Sequence, residues 1–173
     1  MSKEVSVIEG EALTVVAEGC QALIQSHKTL TLSTLSSEGF PEISYTPFLR
    51  GEDGTFIIFI SELAHHTPNL LAHPVCSVLF AGLESETKNM FARERVFFRC
   101  QVQELPRDTE ECDAWLDKMQ NAFGNTVQVL RNLPDFHLFA LKPINGQYTI
   151  GFGKAFSIHE DGSLSHIVID KKK

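Results

Sequence analysis

The sequence predicts a mainly β protein with peripheral helices (α+β), built around an antiparallel sheet of about six strands that closes or half-closes into a small barrel. Two observations lead to this fold class. Segments of strand length, either apolar throughout or alternating between apolar and polar residues, recur along the chain. Short turns rich in glycine and polar residues join most of them, whereas parallel strands need connections of a dozen residues or more.

Length and composition set the broad class. The 173 residues are 43% hydrophobic and 21% charged, which predicts one globular domain over 1–173 with flexible ends at about 1–10 and 169–173. The apolar runs are too short to span a membrane and the first residues lack a signal-peptide pattern, so a cytoplasmic location is expected. The net charge of −7 disfavours nucleic acid as a partner. Four separated cysteines without a C-x-x-C pair are expected to be reduced core residues.

Hydrophobic periodicity predicts the elements of the first half of the chain. Apolar residues at offsets of three and four predict a helix, and alternating or continuous apolar runs predict strands. The sequence "GEDG" at 51–54 predicts a hairpin turn, because glycine adopts positive φ freely. In order, the elements are a helix over 8–27 and strands over 29–36, 43–50, 55–60 and 75–82.

The second half is predicted in the same way. Asp108 is expected to cap a helix, with Glu111 at the matching capping-box position. The pair "NG" at 145–146 predicts a turn, and the glycines of "GFGKAF" at 151–156 predict a strand that another backbone approaches closely. In order, the elements are a polar loop over 83–94, a strand over 95–105, helices over 108–123 and 126–133, and strands over 135–143 and 146–158.

The segment "FISELAHHTPNLLAHP" at 59–74 holds three of the seven histidines of the chain. Its pattern leaves four interpretations open: a metal site, an anion site, the wall of a cofactor pocket, or the surface of a helix. Two histidines that bind one metal ion from a helix stand four residues apart. His65, His66 and His73 have offsets of one and seven, so the metal site is the least favoured.

Four segments, taken in order, resemble a known family. They are "SELAHHTPNLLAHPVCSVLF", "FARERVFF", "LPDFHLFALKP" and "GFGKAF". Together they are similar to the haem-utilisation (HutZ/HugZ-like) branch of the pyridoxamine 5′-phosphate oxidase-like, FMN-binding split-barrel family, over about residues 12–168. The resemblance implies a six-stranded split β-barrel, a homodimer with two symmetric sites at the subunit interface, and haem as the cofactor, with FMN as the alternative.

In the FMN-binding branch, arginine and lysine hold the flavin phosphate at positions that fall near His65 and His66 here. Neutral imidazole offers a donor but no fixed charge, which weakens a phosphate site. Ser61, Thr67 and backbone amides could still hold an anion. For haem, the resemblance makes His66 a pocket wall or a propionate contact, and a solvated histidine at a helix start is the structural alternative.

Arg93 and Arg95 stand two residues apart at a predicted strand start, where both side chains project to one face and can reach one anion. The alternative is a strand edge protected by charge. The resemblance favours Arg95 as the contact to a carboxylate or a phosphate.

By the same resemblance, Asp135 is the acid that hydrogen-bonds an axial histidine from the C-terminal segment of the other subunit, which orients the ring and raises its basicity. A turn after Pro134 is its structural alternative. His166 in "SLSH" is the candidate haem-iron ligand, because no glycine- and histidine-containing stretch follows it in this sequence. An exposed strand end is the alternative for His166, and His137 is predicted to be structural.

Three functions follow as alternatives. The first is a haem-binding protein of haem and iron utilisation, whose enzymatic form would degrade haem with O₂ and an electron donor. The second is an FMN-binding oxidoreductase of the pyridoxamine 5′-phosphate oxidase-like type. The third is a non-enzymatic haem carrier or storage protein, which the sequence after His166 favours over catalysis. The sequence leaves open whether the protein is an enzyme.

Overall fold

The structure, a computed structural model, describes residues 7–168. They divide into two compact units, each discontinuous in sequence. Within the described range, the central unit comprises 28–78 and 99–143, and the terminal unit comprises 7–27, 79–98 and 144–168. The predicted flexibility of the chain ends concerns mostly residues outside 7–168. The single domain over 1–173 stays a prediction.

Helices and strands alternate along the chain much as the sequence predicts. The helices are α1 (Gly10–Gln25), α2 (His66–Ala72), α3 (Glu110–Phe123) and α4 (Asn125–Leu130). The strands are β1 (Thr29–Leu35), β2 (Pro41–Pro47), β3 (Leu49–Arg50), β4 (Phe56–Ser61), β5 (Val75–Ala81), β6 (Arg95–Leu105), β7 (Phe136–Gly151), β8 (Lys154–Ile158) and β9 (Leu164–His166). Two 3₁₀ turns, Glu84–Glu86 and Met90–Ala92, lie in the predicted loop.

The mainly β, antiparallel architecture is confirmed. The strands follow the hydrogen-bonded order β2-β1-β5-β6-β7-β4-β3, with β8 on β7 and β9 on β8. The pairs β1–β2, β3–β4, β4–β7, β7–β8 and β8–β9 are antiparallel. None of the helices within residues 7–168 has the length and apolar character that a membrane span requires.

In the central unit, α3 packs on the sheet because its apolar residues recur at helical spacing. Cys112, Leu116 and Met119 form a buried cluster with Ile57 of β4 and Leu138 of β7. Full burial of an aliphatic side chain of this size contributes about 1.5–3 kcal/mol. This core fixes β4 and β7, the two strands whose ends carry the candidate site described below.

In the terminal unit, the inner side of α1 is apolar. Its buried residues are Val16, Cys20, Leu23 and Ile24. Tyr148 of β7 is 1% exposed, and its hydroxyl donates a hydrogen bond to Glu94. All four cysteines of the chain are buried, which confirms their predicted place in the core.

The predicted strand over 43–50 is divided in two. β2 ends at Pro47, β3 begins at Leu49, and the side chain of Phe48 between them is buried. Proline has no N–H to donate, so the ladder is interrupted there. Together with the separate β8 and β9, this division gives nine strands in the described residues, where the sequence predicts about six.

The turn predicted at Asn145-Gly146 is wrong. β7 continues through both residues, and the chain reverses at Gly153, which has a φ of +66°. Gly146 instead gives room to a neighbouring strand, because a Cβ atom there would lie 2.3 Å from the carbonyl oxygen of Phe97. The close backbone approach that the sequence assigns to "GFGKAF" therefore falls at Gly146, and "GFG" forms the turn.

The predicted cap of α3 is displaced by one residue. Thr109 is the N-cap, and its Oγ1 accepts a hydrogen bond from the N–H of Cys112 at 3.2 Å. Asp108 has a φ of +62°, a left-handed conformation that an N-cap does not adopt. Glu111 thus lies in the first helical turn, near the positive end of the helix dipole, rather than at the capping-box position.

Candidate functional site

Helix α2 begins inside the histidine segment and buries polar residues. His66, Thr67 and Asn69 are each 8% exposed or less. His65, at the N-cap position, is exposed. The helix-surface interpretation therefore applies to His65 and not to His66. Buried polar side chains such as that of His66 require hydrogen-bond partners.

His66 is held by a residue of β2. Its Nδ1 lies 2.7 Å from Ser44 Oγ, and burial lowers the pKa of the ring below its ordinary value. Such a ring is neutral at pH 7 and carries one N–H and one lone pair. The solvated alternative is excluded for His66, and the ring supplies no fixed positive charge.

Asn69 fixes the next turn of α2 against the β1–β2 hairpin. Its Nδ2 donates hydrogen bonds to Thr34 Oγ1 at 3.0 Å and to Glu42 Oε2 at 2.8 Å. A buried polar group left without a partner costs about 1–3 kcal/mol. These two bonds therefore define the orientation of α2, and with it the position of His65 at its start.

The end of β4 and the residue before β7 bring Ser61 and Asp135 together, although they are 74 residues apart in sequence. Ser61 Oγ donates to Asp135 Oδ2 at 2.6 Å and accepts from the N–H of Leu63 at 3.1 Å. The N–H of Glu62 donates to the carbonyl oxygen of Asp135 at 2.8 Å. We call residues 61–63 with Asp135 the Ser61–Asp135 turn. Its hydrogen bonds hold both the backbone and the side chain of Asp135.

The two hydroxyl protons that were predicted to bind an anion are used within the protein. The proton of Ser61 is donated to Asp135, and Thr67 Oγ1 donates to the carbonyl oxygen of Ser61 at 2.6 Å. Asp135 itself is half-buried, and its Oδ1 has no hydrogen-bond partner among residues 7–168. One carboxylate oxygen of Asp135 is therefore open to a donor from outside.

A carboxylate–histidine arrangement lies beside this turn, and the sequence did not predict it. His137 Nδ1 lies 2.6 Å from Glu104 Oε1, and its Nε2 lies 2.7 Å from Glu62 Oε1. Burial acts to lower the pKa of His137, but the hydrogen bonds to Glu104 and Glu62 outweigh it and raise the pKa above its ordinary value. We call these three side chains the His137 clasp. It joins β7 to the end of β6 and to the turn after β4.

No local pattern could have indicated the clasp, because Glu62 and Glu104 are 75 and 33 residues from His137 in sequence. Its carboxylates meet opposite nitrogens of the ring, so they do not converge on one point. Within the described part of the chain, no three or more His, Cys, Asp or Glu side chains are arranged to hold a metal ion.

Arg93 and Arg95 lie in the terminal unit. Arg93 Nε donates to the carbonyl oxygen of Gly82 at 2.7 Å, and its Nη1 forms an ion pair with Glu84 at 2.9 Å. Arg95 is exposed and donates one hydrogen bond, from Nη1 to the carbonyl oxygen of Arg93 at 2.8 Å. Of the two guanidinium groups, that of Arg95 keeps more donors free for an anion.

His166 lies in the terminal unit too, and both of its ring nitrogens are hydrogen-bonded. Nδ1 accepts from the N–H of Ile8 at 3.2 Å, and Nε2 lies 2.9 Å from the carbonyl oxygen of Gly153. The ring also stacks on Phe156 at 5.0 Å. His166 is therefore partly buried and held by backbone groups, rather than being the exposed strand end of the structural alternative.

The predicted site residues thus fall into two groups. The central unit brings together Ser61, His65, His66, Thr67 and Asp135. The terminal unit contains Arg93, Arg95 and His166. A groove of about 670 Å³ beside α3, lined by Trp115 and Lys142 among others, contains none of these residues and is a separate feature of the central unit.

Comparison with known proteins finds the family that the four sequence segments resemble. The family model described as pyridoxamine 5′-phosphate oxidase matches residues 16–150. The chain is 34% identical over 147 residues to heme oxygenase HutZ of Vibrio cholerae, and the match covers 85% of this chain and 83% of that relative.

Two solved structures share the fold. HutZ of Vibrio cholerae, described as the heme storage protein, has a TM-score of 0.67 at 34% identity, covering 73% of this chain and 88% of that one. ChuZ of Campylobacter jejuni has a TM-score of 0.80 at 27% identity, covering 92% of this chain and 66% of that one.

Proposed function

Because this chain belongs to the pyridoxamine 5′-phosphate oxidase family, we propose that within that family it is a haem-binding protein of haem utilisation. The relative that it matches over most of its length is named a heme oxygenase in one description and a heme storage protein in another. Both names support haem as the ligand, and they differ on whether the ligand is consumed.

The observation that carries the proposal is the charge of segment 61–67. It contains two histidines and no lysine or arginine, and the carboxylates of Glu62 and Asp135 lie at or beside it. A phosphate dianion needs fixed cations and is repelled by carboxylates. A porphyrin needs an apolar slot and an imidazole for its iron, and a carboxylate suits such an imidazole because it accepts the N–H of the ring nitrogen that does not bind iron. The segment therefore favours haem over FMN.

We assign the haem site in the central unit to His65, His66, Ser61, Thr67 and Asp135. His65 is exposed and able to contact a ligand directly, and the neutral ring of His66 forms a wall behind it. Ser61 and Thr67 act by holding the turn, because their protons are already donated. Asp135 Oδ1 would accept a hydrogen bond from a histidine of the other subunit that binds the haem iron.

Arg95 is the residue that we assign to a haem propionate, since most of its guanidinium donors are free and arginine binds carboxylates well. Arg93 supports that segment through Glu84. His166 stays the candidate iron ligand of the C-terminal segment. To bind iron through Nε2, His166 would have to give up its hydrogen bond to Gly153 and carry its proton on Nδ1 instead. Nδ1 now accepts the N–H of Ile8, so that bond would be lost as well.

The fold and assembly that we propose are a six-stranded split β-barrel and a homodimer. An apolar face on the β1–β2 hairpin supports the dimer, because Ile43 and Tyr45 alternate on β2 and are 77% and 72% exposed. Leu35, which pairs with Pro41, extends this face, and Phe40 in the adjoining turn is 66% exposed. Exposed apolar patches of this kind mark contacts with other proteins. A cytoplasmic location stays a prediction.

When bound, haem supplies the iron at which O₂ and electrons react. This chain would contribute the orientation of the ligand and the exclusion of water around it. Asp135 would accept the N–H of the imidazole that binds the iron, which would make that imidazole a stronger ligand. An electron donor is needed only if the haem is degraded; a storage protein needs none.

Absorption spectra during haem and FMN titrations test the proposal. We expect a Soret band that saturates at one haem per subunit, and no retained flavin spectrum. A Soret band that does not saturate, or FMN that stays bound through gel filtration, would overturn it. The His166→Ala variant then tests the ligand: a displaced Soret band assigns the iron to His166, and an unchanged band removes it as a candidate.

Ascorbate and O₂ separate the oxygenase from the carrier. Decay of the Soret band in the wild type indicates degradation, and a stable band indicates storage. If the band decays, Asp135→Asn should slow the decay at least about tenfold, as removal of such a hydrogen-bond partner does, with a smaller loss of affinity. Asp161→Asn in the exposed β8–β9 hairpin is the control. Equal losses of affinity and rate for Asp135→Asn would contradict the role of Asp135.

A further inference from the structure

The His137 clasp and the Ser61–Asp135 turn share one residue, Glu62. Its carboxylate lies 2.7 Å from Nε2 of His137, and its backbone N–H donates to the carbonyl oxygen of Asp135 at 2.8 Å. The preceding residue, Ser61, donates to the Asp135 carboxylate. A movement of the Glu62 side chain therefore acts directly on the backbone that positions Asp135.

The partners of His137 determine its protonation state. Ionised carboxylates only accept hydrogen bonds, so with both glutamates ionised each ring nitrogen must carry a proton. A neutral ring would direct its lone pair at a carboxylate oxygen 2.6 or 2.7 Å away. The clasp with both of its contacts therefore exists only for the imidazolium.

We propose that the imidazolium of His137 is a positioning group for the Ser61–Asp135 turn, and that the site is fully assembled only while both ring nitrogens are protonated. His137 acts through Glu62 and does not touch the ligand. The effect on haem rests on the function proposed above, whereas the effect on the turn exists in the protein without haem.

The surroundings of His137 give the direction of the pH effect. The charged groups that face it or lie near it in the described residues are Glu62 after β4, Glu104 on β6, Asp135 with its carboxylate at Ser61, and Arg107, whose Nη1 is 3.4 Å from the carbonyl oxygen of Phe136. The ring therefore loses its proton at a higher pH than a free histidine does.

Deprotonation removes one of the two contacts of the ring. The side chain of Glu62 is 55% exposed and follows β4 in a turn, whereas that of Glu104 is 43% exposed and belongs to β6. The strand restrains Glu104, so we expect Glu62 to move away. The Ser61–Asp135 turn then loses its link to β7 and β6 as the pH rises.

Hydrogen exchange in the haem-free protein tests the positioning role. The protection factor of the Glu62 amide should fall about tenfold between pH 6 and pH 9, which corresponds to about 1.4 kcal/mol. His137→Gln has no titrating ring, so its protection factor should stay constant over this range. His159→Gln in the exposed β8–β9 hairpin is the matched control and should keep the wild-type profile. A constant factor in the wild type would overturn the proposal.

Glu104→Gln is the second variant, for the case that His137→Gln does not fold. It keeps the ring but removes one of the two negative charges that favour the imidazolium. The midpoint of the exchange profile should therefore move to lower pH. An unmoved midpoint would overturn the proposal as well.

Haem titrations at the same pH values separate this inference from the function on which it rests. We expect the affinity of the wild type to fall about tenfold from pH 6 to pH 9, in line with the loss of a hydrogen bond to a charged group, and that of His137→Gln to be independent of pH. If the protection factors follow the expected profile but haem does not bind at any pH, the positioning role of His137 is supported and the proposed function is overturned. Haem binding with constant protection factors would overturn the positioning role.

Discussion

His137 in the central unit and His166 in the terminal unit both have two hydrogen-bonded ring nitrogens, yet their partners require a different protonation state of each ring. His137 lies between two carboxylates and must donate from both nitrogens. His166 accepts the N–H of Ile8 at Nδ1, so its remaining proton is on Nε2 and is donated to Gly153. The contacts of the first ring require an imidazolium, and those of the second require a neutral ring.

The number of hydrogen bonds to a histidine therefore says little about its role, whereas the chemistry of the partners decides it. Two carboxylates make the His137 contacts depend on pH. A backbone donor and a backbone acceptor make the His166 contacts depend on one tautomer, which leaves no lone pair free for iron. As long as these bonds persist, His166 links β9 to the turn between β7 and β8 and to the residue Ile8 before α1, and any ligand role requires them to break.

The largest expected effect comes from breaking the strand that holds the His166 region. In Gly146→Ala the new Cβ would lie 2.3 Å from the Phe97 carbonyl oxygen, so β7 must shift where it pairs with β8. We expect a loss of about 3 kcal/mol in the free energy of unfolding, as for other overpacked sites, measured by urea denaturation at pH 7. Gly82→Ala is the control, because the nearest atoms to its new Cβ, the Cβ and carbonyl oxygen of Glu94, would lie 3.7 Å away. Equal stability of the two variants would refute the close approach at Gly146.

A smaller effect is expected when the His137 clasp is removed. His137→Ala leaves two carboxylates without their cation, and because the glutamates are half exposed we expect a loss of about 2 kcal/mol at pH 6 rather than the larger cost of a fully buried pair. The raised pKa of His137 means that its contribution is present below about pH 6.5 and is lost as the pH rises through the pKa of the folded state. The loss measured by urea denaturation should therefore shrink by pH 9. A loss of the same size at both pH values would contradict the charged clasp.

The smallest loss of stability is expected when His166 is replaced. His166→Ala removes two hydrogen bonds made by a neutral ring and should cost about 1 kcal/mol. Because no charge is involved, the cost measured by urea denaturation should be the same at pH 7 and pH 9. A cost that falls with rising pH would mean that His166 is charged in the folded protein, and the contrast with His137 would disappear.

Much of the fold could be predicted because it depends on local patterns. The apolar spacing of α1 and the continuous apolar run of β4 predicted their type and their burial. The failures occurred where a neighbour in space decided the outcome. Gly146 lies in a strand because the backbone of Phe97 needs the room, although "NG" is a common turn sequence. Thr109 caps α3 because the preceding Asp108 adopts the turn conformation.

For the candidate site, the sequence alone shows that 59–74 holds three histidines and no lysine or arginine. Which of these side chains keep a hydrogen-bonding group available for a ligand depends on the tertiary structure. The register of β4 with β7 pairs Ser61 with Phe136, and this brings Asp135 to Ser61 and His137 to Glu62. The physical reason is that hydrophobic periodicity is a property of neighbours in the chain, whereas the charge of a histidine depends on the donors and acceptors that sheet pairing brings to its ring.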